Sequence, residues 1–465
     1  MSDHITLRDV ELPPLSALEP EPVLSGEVYA GRISRTRVRM RELGLTHLIA
    51  YADREHPGNS LYLTGFDPRF EEALVVLDLD NAPWILAGNE SGAMIPGLSV
   101  TATAVLCQSL SLPGQDRSIQ QRISAALRQV GVGPESRVGL VGWRQITAGD
   151  SPVSPYAYAV PAFVIGEILD VTQNLTDATS ILMGIDGLRS RNEADQIALN
   201  EHRATRAAGH AWRALEALKP GRSELATAEH MALNGLPLTA HVMLTTGSGK
   251  VVGLCSPSDR VIGHGDLLST AVGLQGGLTS RAGYVLRADE LDQRQTDFAA
   301  GYFAAIATWY QGLTLGASTA EIAEQTTREL AKSSIRPLLN PGHLQHIDEW
   351  LDSPFAAGSH GTVHSGMSLQ ADIIPVGSTP DLAANCEDAV AIADADLRAE
   401  LAERYPQMWA RVTARRTFMT HTLGLRIAEE VLPLSDRQAV LPPALLSLSS
   451  VLVATASAEQ RARPA

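Results

Sequence analysis

The sequence predicts an α/β (α+β) protein of two domains. Three observations support this: a length of 465 residues, which exceeds what one hydrophobic core usually serves; a Gly/Asp-rich break at residues 184–187; and helical and strand-like patterns on both sides of that break. We therefore predict an α/β domain at residues 31–183 and a second domain at residues 188–455. Residues 1–30 are expected to be a loose leader, and residues 456–465 a polar tail.

Composition and charge argue against several classes of protein. The chain is 45% hydrophobic and 19% charged, and its formal net charge of -15 at pH 7 repels phosphate backbones, so nucleic-acid binding is not expected. No stretch approaches the roughly 20 apolar residues of a membrane span, and the leader lacks a signal-peptide pattern. The cysteines Cys107, Cys255 and Cys386 are far apart and odd in number. This usage indicates neither a disulfide framework nor a thiolate zinc site, and we expect a cytoplasmic protein.

The first domain shows helical and strand-like segments in turn. Apolar residues at helical spacing predict helices at residues 31–43 and 118–130, and short apolar runs predict strands at 46–52, 60–66, 73–79, 83–88 and 137–143. The turn residues Asp80 and Asn81 join two of these runs into a predicted hairpin. A mixed sheet is therefore expected.

The second domain contains an internal repeat. Its patterns predict helices at residues 191–218, 225–233, 298–311, 319–332 and 406–423, and strands at 241–245, 267–273, 368–375 and 388–393. The segments LKPGRSELATA (218–228) and LTLGASTAEIAEQ (313–325) each contain a helix end, a glycine, a serine N-cap, a glutamate and a new helix. This repetition predicts two pseudo-equivalent halves.

Several segments together resemble one known family. NSLYLTGFDPRFEEALVVL (59–77) is similar to the N-terminal domain of creatinase and prolidase-type proteins, in which YLTGF is a strand. Farther along, RSRNEADQIALNEHRAT, SPSDRVIGHGDLL, NPGHLQHIDEW, SGMSLQADIIP and NCEDAVAIAD follow in the order of the pita-bread domain of the creatinase and aminopeptidase P (peptidase M24) family. The resemblance implies a creatinase-like N-terminal domain, a pita-bread domain with pseudo-twofold α/β halves, and a homodimer.

The resemblance also locates the positions of the family's metal ligands. Metal-dependent members hold two divalent ions with two Asp, one His and two Glu, and the ions activate a water. At those positions this sequence has Ala271 and Arg281 for the two Asp, His343 for the His, and Asp372 and Glu387 for the two Glu. Because a fixed guanidinium would oppose the ions, we predict a divergent member without the usual metal ions and without a cofactor.

Seven residues are the candidate site residues. The resemblance implies His343, Asp372 and Glu387 as catalytic groups, although a loop histidine or a strand-edge acid is often only structural. Arg281 is a plausible partner for the buried carboxylate of Asp372 and could bind substrate electrostatically. The other candidate substrate-binding residues are His241, Asp348 and Trp350, the last at a position where the family has a second histidine.

Three functions follow from this pattern. The first is a metal-independent, creatinase-like hydrolase that cleaves a C–N bond in a small polar molecule. The second is an inactive pita-bread protein that binds a ligand or partner. The third is an Xaa-Pro aminopeptidase-like metallopeptidase with a single metal on His343, Asp372 and Glu387, since three ligands and a water suffice for catalysis.

Overall fold

The fold was analysed in a computed structural model that describes residues 4–119, 122–147, 157–249 and 253–455. The predicted tail at residues 456–465 lies outside the described residues. The chain forms two compact units, which we call the N-terminal unit (Val23–Ser190) and the C-terminal unit (Met1–Pro22 with Arg191–Ala465). Both contain helices and sheets, so the predicted α/β fold class is confirmed.

The secondary structure elements are numbered in chain order. The strands are β1 (His4–Asp9), β2 (His47–Ala52), β3 (Ala73–Asp78), β4 (Trp84–Ala87), β5 (Thr103–Leu106), β6 (Val138–Val141), β7 (Leu175–Asp177), β8 (Met243–Gly247), β9 (Leu267–Leu274), β10 (Gly277–Tyr284), β11 (Arg336–Pro337), β12 (His343–Leu344), β13 (Ser368–Gln370), β14 (Pro375–Val376), β15 (Asn385–Ile392), β16 (Val431–Pro433) and β17 (Ser450–Thr455). The α-helices are α1 (Gly26–Glu42), α2 (Gly58–Thr64), α3 (Ile123–Gln129), α4 (Ala162–Leu169), α5 (Ala194–Glu216), α6 (Glu224–Ala228), α7 (Gln293–Gly312), α8 (Thr319–Lys332), α9 (Ala395–Arg404) and α10 (Pro406–Thr417).

The N-terminal unit is built on a six-stranded sheet with the order β5-β4-β3-β2-β6-β7. Strands β2, β3 and β4 are antiparallel, as the Asp80–Asn81 turn predicted, whereas β5 joins β4 and β6 joins β2 in parallel. The expected mixed sheet is therefore confirmed. The buried, apolar faces of these strands pack against α3 and α4 to form one core.

The segment predicted as a strand at residues 60–66 is instead mostly helix α2, so that prediction was wrong. Thr64 donates from Oγ1 to the Ser60 carbonyl at 2.8 Å, a bond that a helical turn allows. Gly65 ends the helix in the left-handed region at φ 72°, where a Cβ would lie 2.8 Å from the Tyr29 hydroxyl. The apolar run is buried on both sides, and such a run does not distinguish a short helix from a strand.

The C-terminal unit is built on a seven-stranded antiparallel sheet. Its order is β12-β13-β15-β10-β9-β8, with β16 paired to β15. Helix α5 packs against β9 and β10, and Gly277 lies so close to this helix that a Cβ would be 2.6 Å from that of Ala204. Within the predicted leader, β1 pairs antiparallel with β17.

The predicted repeat is visible as two matching helix starts. Ser223 and Ser318 cap α6 and α8 by accepting from the backbone N–H three residues farther on. Two residues before each serine, Gly221 and Gly316 have φ values of 87° and 82°, which glycine adopts without strain. Their N–H groups donate to returning chain segments, at Ile262 and Val363, with lengths of 2.9 and 2.8 Å.

Within the described residues, no helix combines the length and the apolar composition that crossing a membrane requires.

Candidate functional site

Three neighbouring strands form the floor of the candidate site. Glu387 on β15 lies beside Ser280 on β10, which in turn lies beside Ala271 on β9. Directly opposed residues of antiparallel strands project to the same face, so these three side chains share one surface. Asn385, one pleat along β15, donates to Ser280 Oγ at 2.9 Å and fixes that hydroxyl. This row of three residues therefore presents one carboxyl group beside two small residues.

A tight turn places His343 at the start of β12. Gly342 adopts φ 93°, and a Cβ there would lie 2.8 Å from the ring of Trp309. Its N–H donates to the Asp372 carbonyl at 2.7 Å, which ties the histidine turn to the end of the neighbouring strand. Asp372 lies just beyond β13, because the strand predicted for residues 368–375 ends at Gln370. The glycine thus brings His343 and Asp372 together.

His343 is the centre of a cluster of four ionisable side chains. Its Nε2 is 3.1 Å from Glu349 Oε1 and 3.9 Å from Asp372 Oδ2. His343, Glu349 and Glu387 also offer ligand atoms that all lie within 4.8 Å of one another. The His343 side chain is fully buried. The structure therefore brings together the three predicted catalytic residues and adds a fourth, Glu349.

Burial and mutual repulsion raise the pKa values of the acids in this cluster. Burial raises the pKa of Asp372 to about 6, partly offset by the His343 imidazole and reinforced by Glu349. Burial, followed by the charges of Asp372 and Glu349, raises the pKa of Glu387 well above its usual range. Burial acts to lower the pKa of His343, but the neighbouring carboxylates outweigh it and raise it. The ionisable groups of the cluster therefore keep their protons to a higher pH than usual, unless another positive charge binds beside the acids and compensates them.

The hydrogen bonds of His343 determine which ring nitrogen is available. Nδ1 lies 3.2 Å from the Leu344 carbonyl, and because a carbonyl can only accept, Nδ1 carries the hydrogen. Nε2 has no aligned hydrogen-bond partner among the described residues, despite its short distance to Glu349. In the neutral ring Nε2 therefore presents its lone pair to the cluster.

Trp350 covers one face of the imidazole. The two rings are stacked, with centroids 4.1 Å apart and an interplanar angle of 21°. Trp350 is 41% exposed, so it lies between the buried histidine and the surface. The predicted substrate-binding position is thus adjacent to His343, and the stack restricts rotation of the imidazole.

Arg281 does not face this cluster, in contrast to the expectation from the sequence. The β10 register places Ser280, not Arg281, beside Ala271 and Glu387, and successive residues of a strand point to opposite faces. Arg281 instead lies over the Trp212 ring of α5 and donates to Asp388 Oδ2 at 2.8 Å. Its other donors bond the backbone carbonyls of Ser280, Glu387, Arg437 and Val440. The expected Asp372–Arg281 pair is not formed.

Two other predicted substrate-binding residues, His241 and Asp348, form hydrogen bonds that involve backbone groups. His241 is exposed, and its Nε2 is 2.7 Å from the Leu254 carbonyl. Asp348 is half-buried, and its carbonyl accepts from the N–H of His346, which shapes the loop after β12. Neither residue is among the potential ion ligands.

Glu349 reaches the cluster because the loop after β12 folds back on itself. Leu344 and residues 351–352 are joined by two backbone hydrogen bonds, of 2.7 and 2.9 Å, which close the loop. The sequence showed an acidic pair, Asp348 and Glu349, in a polar segment, but no periodicity to indicate which of the two turns inward. Only the loop conformation selects Glu349.

The cluster fits one divalent ion. Bonds of about 2.1 Å to a tetrahedral ion place ligand atoms roughly 3.5 Å apart, so a contraction of about 1 Å would close the three groups around it. Imidazole and carboxylate ligands suit zinc, cobalt or manganese, and the bond from His343 Nδ1 to a carbonyl is typical of a histidine that ligates through Nε2. The residues do not fit a second ion, because Ala271 and Ser280 supply no carboxylate on the floor.

The comparisons with known proteins identify the fold. A dipeptidase PepE from Mycobacterium ulcerans is similar, with a TM-score of 0.60, 18% identity, and coverage of 80% of this chain and 94% of that chain. A recombinant prolidase from Thermococcus sibiricus has a TM-score of 0.61 and 16% identity, and the match covers 79% of this chain and 95% of the prolidase chain. An Xaa-Pro dipeptidase from Bacillus anthracis has a TM-score of 0.60 and 13% identity, and the match covers 79% of this chain and 96% of the dipeptidase chain.

The chain therefore has the pita-bread fold of the M24 peptidases, and the resemblance seen in the sequence is confirmed at the level of the fold. No protein-family model matches the sequence. No curated protein matches it either.

Proposed function

We propose that the protein is a hydrolase that cleaves an amide or peptide C–N bond in a small polar substrate, with one divalent ion on His343, Glu349 and Glu387. The observation that carries the proposal is the convergence of their ligand atoms within 4.8 Å in a buried cluster. The similar structures are of dipeptidases and prolidases, which supports a short peptide as substrate.

Each residue of the cluster has a separate task in this proposal. His343 would ligate through Nε2 while the Leu344 carbonyl fixes its ring, and Glu349 and Glu387 would each supply an oxygen. A bound ion would supply Lewis-acid catalysis and make a water more acidic. Trp350 shields the imidazole and keeps its plane fixed while substrate enters from the exposed side.

A metal-free reaction is the second candidate, and it corresponds to the creatinase-like function predicted from the sequence. The contact of 3.1 Å between His343 and Glu349 favours it, because a protonated His343 would place a positive charge in the cluster without an ion. The raised pKa values of His343 and Asp372 allow a proton donor and a proton acceptor to coexist near neutral pH.

Hydrolysis assays before and after chelation separate the two candidates. We expect turnover of at least one Xaa-Pro dipeptide or amino-acid amide, lost on chelation, restored by zinc or manganese, and absent in His343→Ala and Glu387→Gln. The control is Asp289→Asn, whose side chain is 78% exposed and which should keep wild-type activity. Activity that survives chelation would support the metal-free candidate. The absence of any turnover, including of amidines and ureas, would contradict both.

A further inference from the structure

One side of helix α5 carries three basic side chains at helical spacing. Arg206, His210 and Arg213 are separated by four and three residues, which places them on one side of the helix. Arg206 and Arg213 are half-buried, and His210 is 2% exposed. Helix α5 packs on the face of the sheet opposite the His343 cluster, so these residues form a separate group. We call the three residues the basic group of α5.

The hydrogen-bond donors of the basic group outnumber the acceptors around them. The Met231 carbonyl lies 2.7 Å from His210 Nδ1, and it also accepts from Arg213 Nε at 3.3 Å and Nη2 at 2.9 Å. A carbonyl oxygen has two lone pairs, so three nitrogen donors compete for it. Arg213 Nη2 is itself 2.7 Å from His210 Nδ1, where two donors face each other. A further acceptor beside these nitrogens would relieve the competition.

Two buried nitrogens of the basic group have no hydrogen-bond partner in the described part of the chain. They are Arg206 Nε and His210 Nε2. Because a carbonyl can only accept, His210 Nδ1 carries the hydrogen toward Met231, and Nε2 of the neutral ring offers a lone pair. Arg206 Nε, in contrast, is a donor. Buried polar atoms usually have partners, so the group lacks one that both accepts and donates.

The positive charge of the basic group is not balanced by an acid. Among the described residues no carboxylate forms an ion pair with any of the three, and Glu216, whose charge acts on Arg213, is bonded to Arg437 at 2.7 Å. Burial lowers the pKa of His210, and the charges of Arg213 and Arg206 lower it further, which favours the neutral imidazole. Since the whole chain has a net charge of -15, an uncompensated cationic group indicates a bound anion.

A glycine inside α5 makes room for this arrangement. A Cβ at Gly209 would lie 3.2 Å from Arg213 Nη1, so the guanidinium lies close against the helix at this position. Glycine weakens the interior of a helix, and here it leaves space for the guanidinium beside His210 and Met231.

We propose that the basic group of α5 binds one hydrogen phosphate ion. The phosphate oxygens would accept from the guanidinium groups of Arg206 and Arg213, and the phosphate hydroxyl would donate to His210 Nε2. Guanidinium groups match the oxygens of phosphate, and charge strengthens these bonds. Sulfate has a similar shape and two charges but no hydroxyl at neutral pH, so the neutral imidazole would distinguish the two ions.

Calorimetric titration of wild-type protein with inorganic phosphate, sulfate and chloride at pH 7 tests the proposal. The protein is treated with chelator beforehand, so that phosphate cannot bind through a metal ion. We expect one phosphate per chain, at least fivefold weaker binding of sulfate, and the weakest binding for chloride. No phosphate binding, or equal binding of phosphate and sulfate, would overturn the proposal.

Two variants of matched charge then locate the site. Arg206→Gln should weaken phosphate binding at least tenfold. Arg203→Gln, three residues earlier on the same helix, is the control and should change it less than twofold, because Arg203 already bonds to Glu21 at 2.8 Å. Equal effects of the two variants would show that phosphate responds only to the overall charge, and the proposal would be wrong.

Melting temperatures distinguish a ligand-binding arginine from a structural one. Without phosphate, Arg206→Gln should melt no earlier than wild type, because it removes a charge that repels its neighbours. With phosphate, only wild type should gain stability. A variant that melts earlier in both conditions and still binds phosphate as tightly as wild type would contradict the proposal. These readouts do not depend on peptide hydrolysis.

Discussion

Two neighbouring acids on β15, Glu387 and Asp388, lie in buried settings that differ in one respect. Asp388 is fully paired: Arg281 donates to it at 2.8 Å, and the Ala439 N–H donates to the same oxygen at 2.9 Å. Glu387 faces the other side of the sheet, where it meets a histidine and two more acids. The buried charge of Asp388 is therefore compensated, whereas that of Glu387 is not. We call the side of the sheet with Asp388 the closed side and the side with Glu387 the open side.

The two acids show how a structural charge differs from a functional charge within one sheet. A buried charge with complete hydrogen bonding holds a fold together, and removing one partner leaves the other exposed to the full desolvation penalty. A buried cluster of like charges with unpartnered atoms, such as Asp372 Oδ1, destabilises the fold unless a ligand completes it. Variants of Arg281, Asp372 and Glu387 measure this contrast.

The largest effect is expected on the closed side. Arg281→Met should lower the free energy of unfolding by about 3 to 5 kcal/mol, because it leaves Asp388 buried and unpaired. Denaturant titration of the single variant and of Arg281→Met combined with Asp388→Asn gives the comparison. The double variant should recover part of the loss, and a single variant as stable as wild type would show that the pair is not structural.

On the open side, removing a charge should raise the stability of the fold rather than lower it, and a pH titration can show this. The pKa of Asp372 is about 6 in the folded chain against 3.8 for a free group, so the folded protein binds this proton more tightly. The resulting stabilisation is present below pH 4 and lost as the pH rises to about 6, a change on the order of 3 kcal/mol. Melting temperatures of metal-free wild type and Asp372→Asn should diverge over this range, with the variant the more stable at pH 7. Parallel curves would contradict the assignment.

A gain of stability is also expected for Glu387→Gln in the metal-free protein. Because burial and two nearby acids raise the pKa of Glu387, its ionised form costs stability at neutral pH. The amide should therefore raise the free energy of unfolding at pH 7 while weakening ion binding. Chemical denaturation in the presence of a chelator measures this, and a loss of stability would indicate that the acid is already paired.

The smallest effect is expected at the stacked ring. Trp350→Ala should cost about 1 kcal/mol through loss of contact with the imidazole, and Trp350→Phe should keep most of it. The ring resonances of His343, followed by nuclear magnetic resonance, should move in the alanine variant and much less in the phenylalanine variant. Unchanged resonances in both would show that the rings are not stacked.

The sequence predicted the features that depend on local pattern and turn chemistry. The repeat could be predicted because Gly221 and Gly316 are needed at turns with positive φ before two serine caps. His343, Asp372 and Glu387 could be placed near one another through the resemblance to the pita-bread family, and the structure brings them into one cluster.

The remaining features depend on information that no short pattern contains. Arg281 was placed in the site because the length of the β9–β10 turn decides which residue faces Glu387, and a shift of one residue reverses the face. Glu349 was not among the predicted site residues because long-range backbone pairing closes its loop. The helix at Gly58–Thr64 was predicted as a strand because a short buried run has no diagnostic period.

Binding of one ion to His343, Glu349 and Glu387 can be measured by calorimetric titration of chelator-treated protein with zinc and with manganese. Elemental analysis of the dialysed complex provides a check. We expect one ion per chain in wild type and at least tenfold weaker binding in Glu349→Gln. Two ions per chain, no binding, or an unchanged affinity in Glu349→Gln would contradict this expectation.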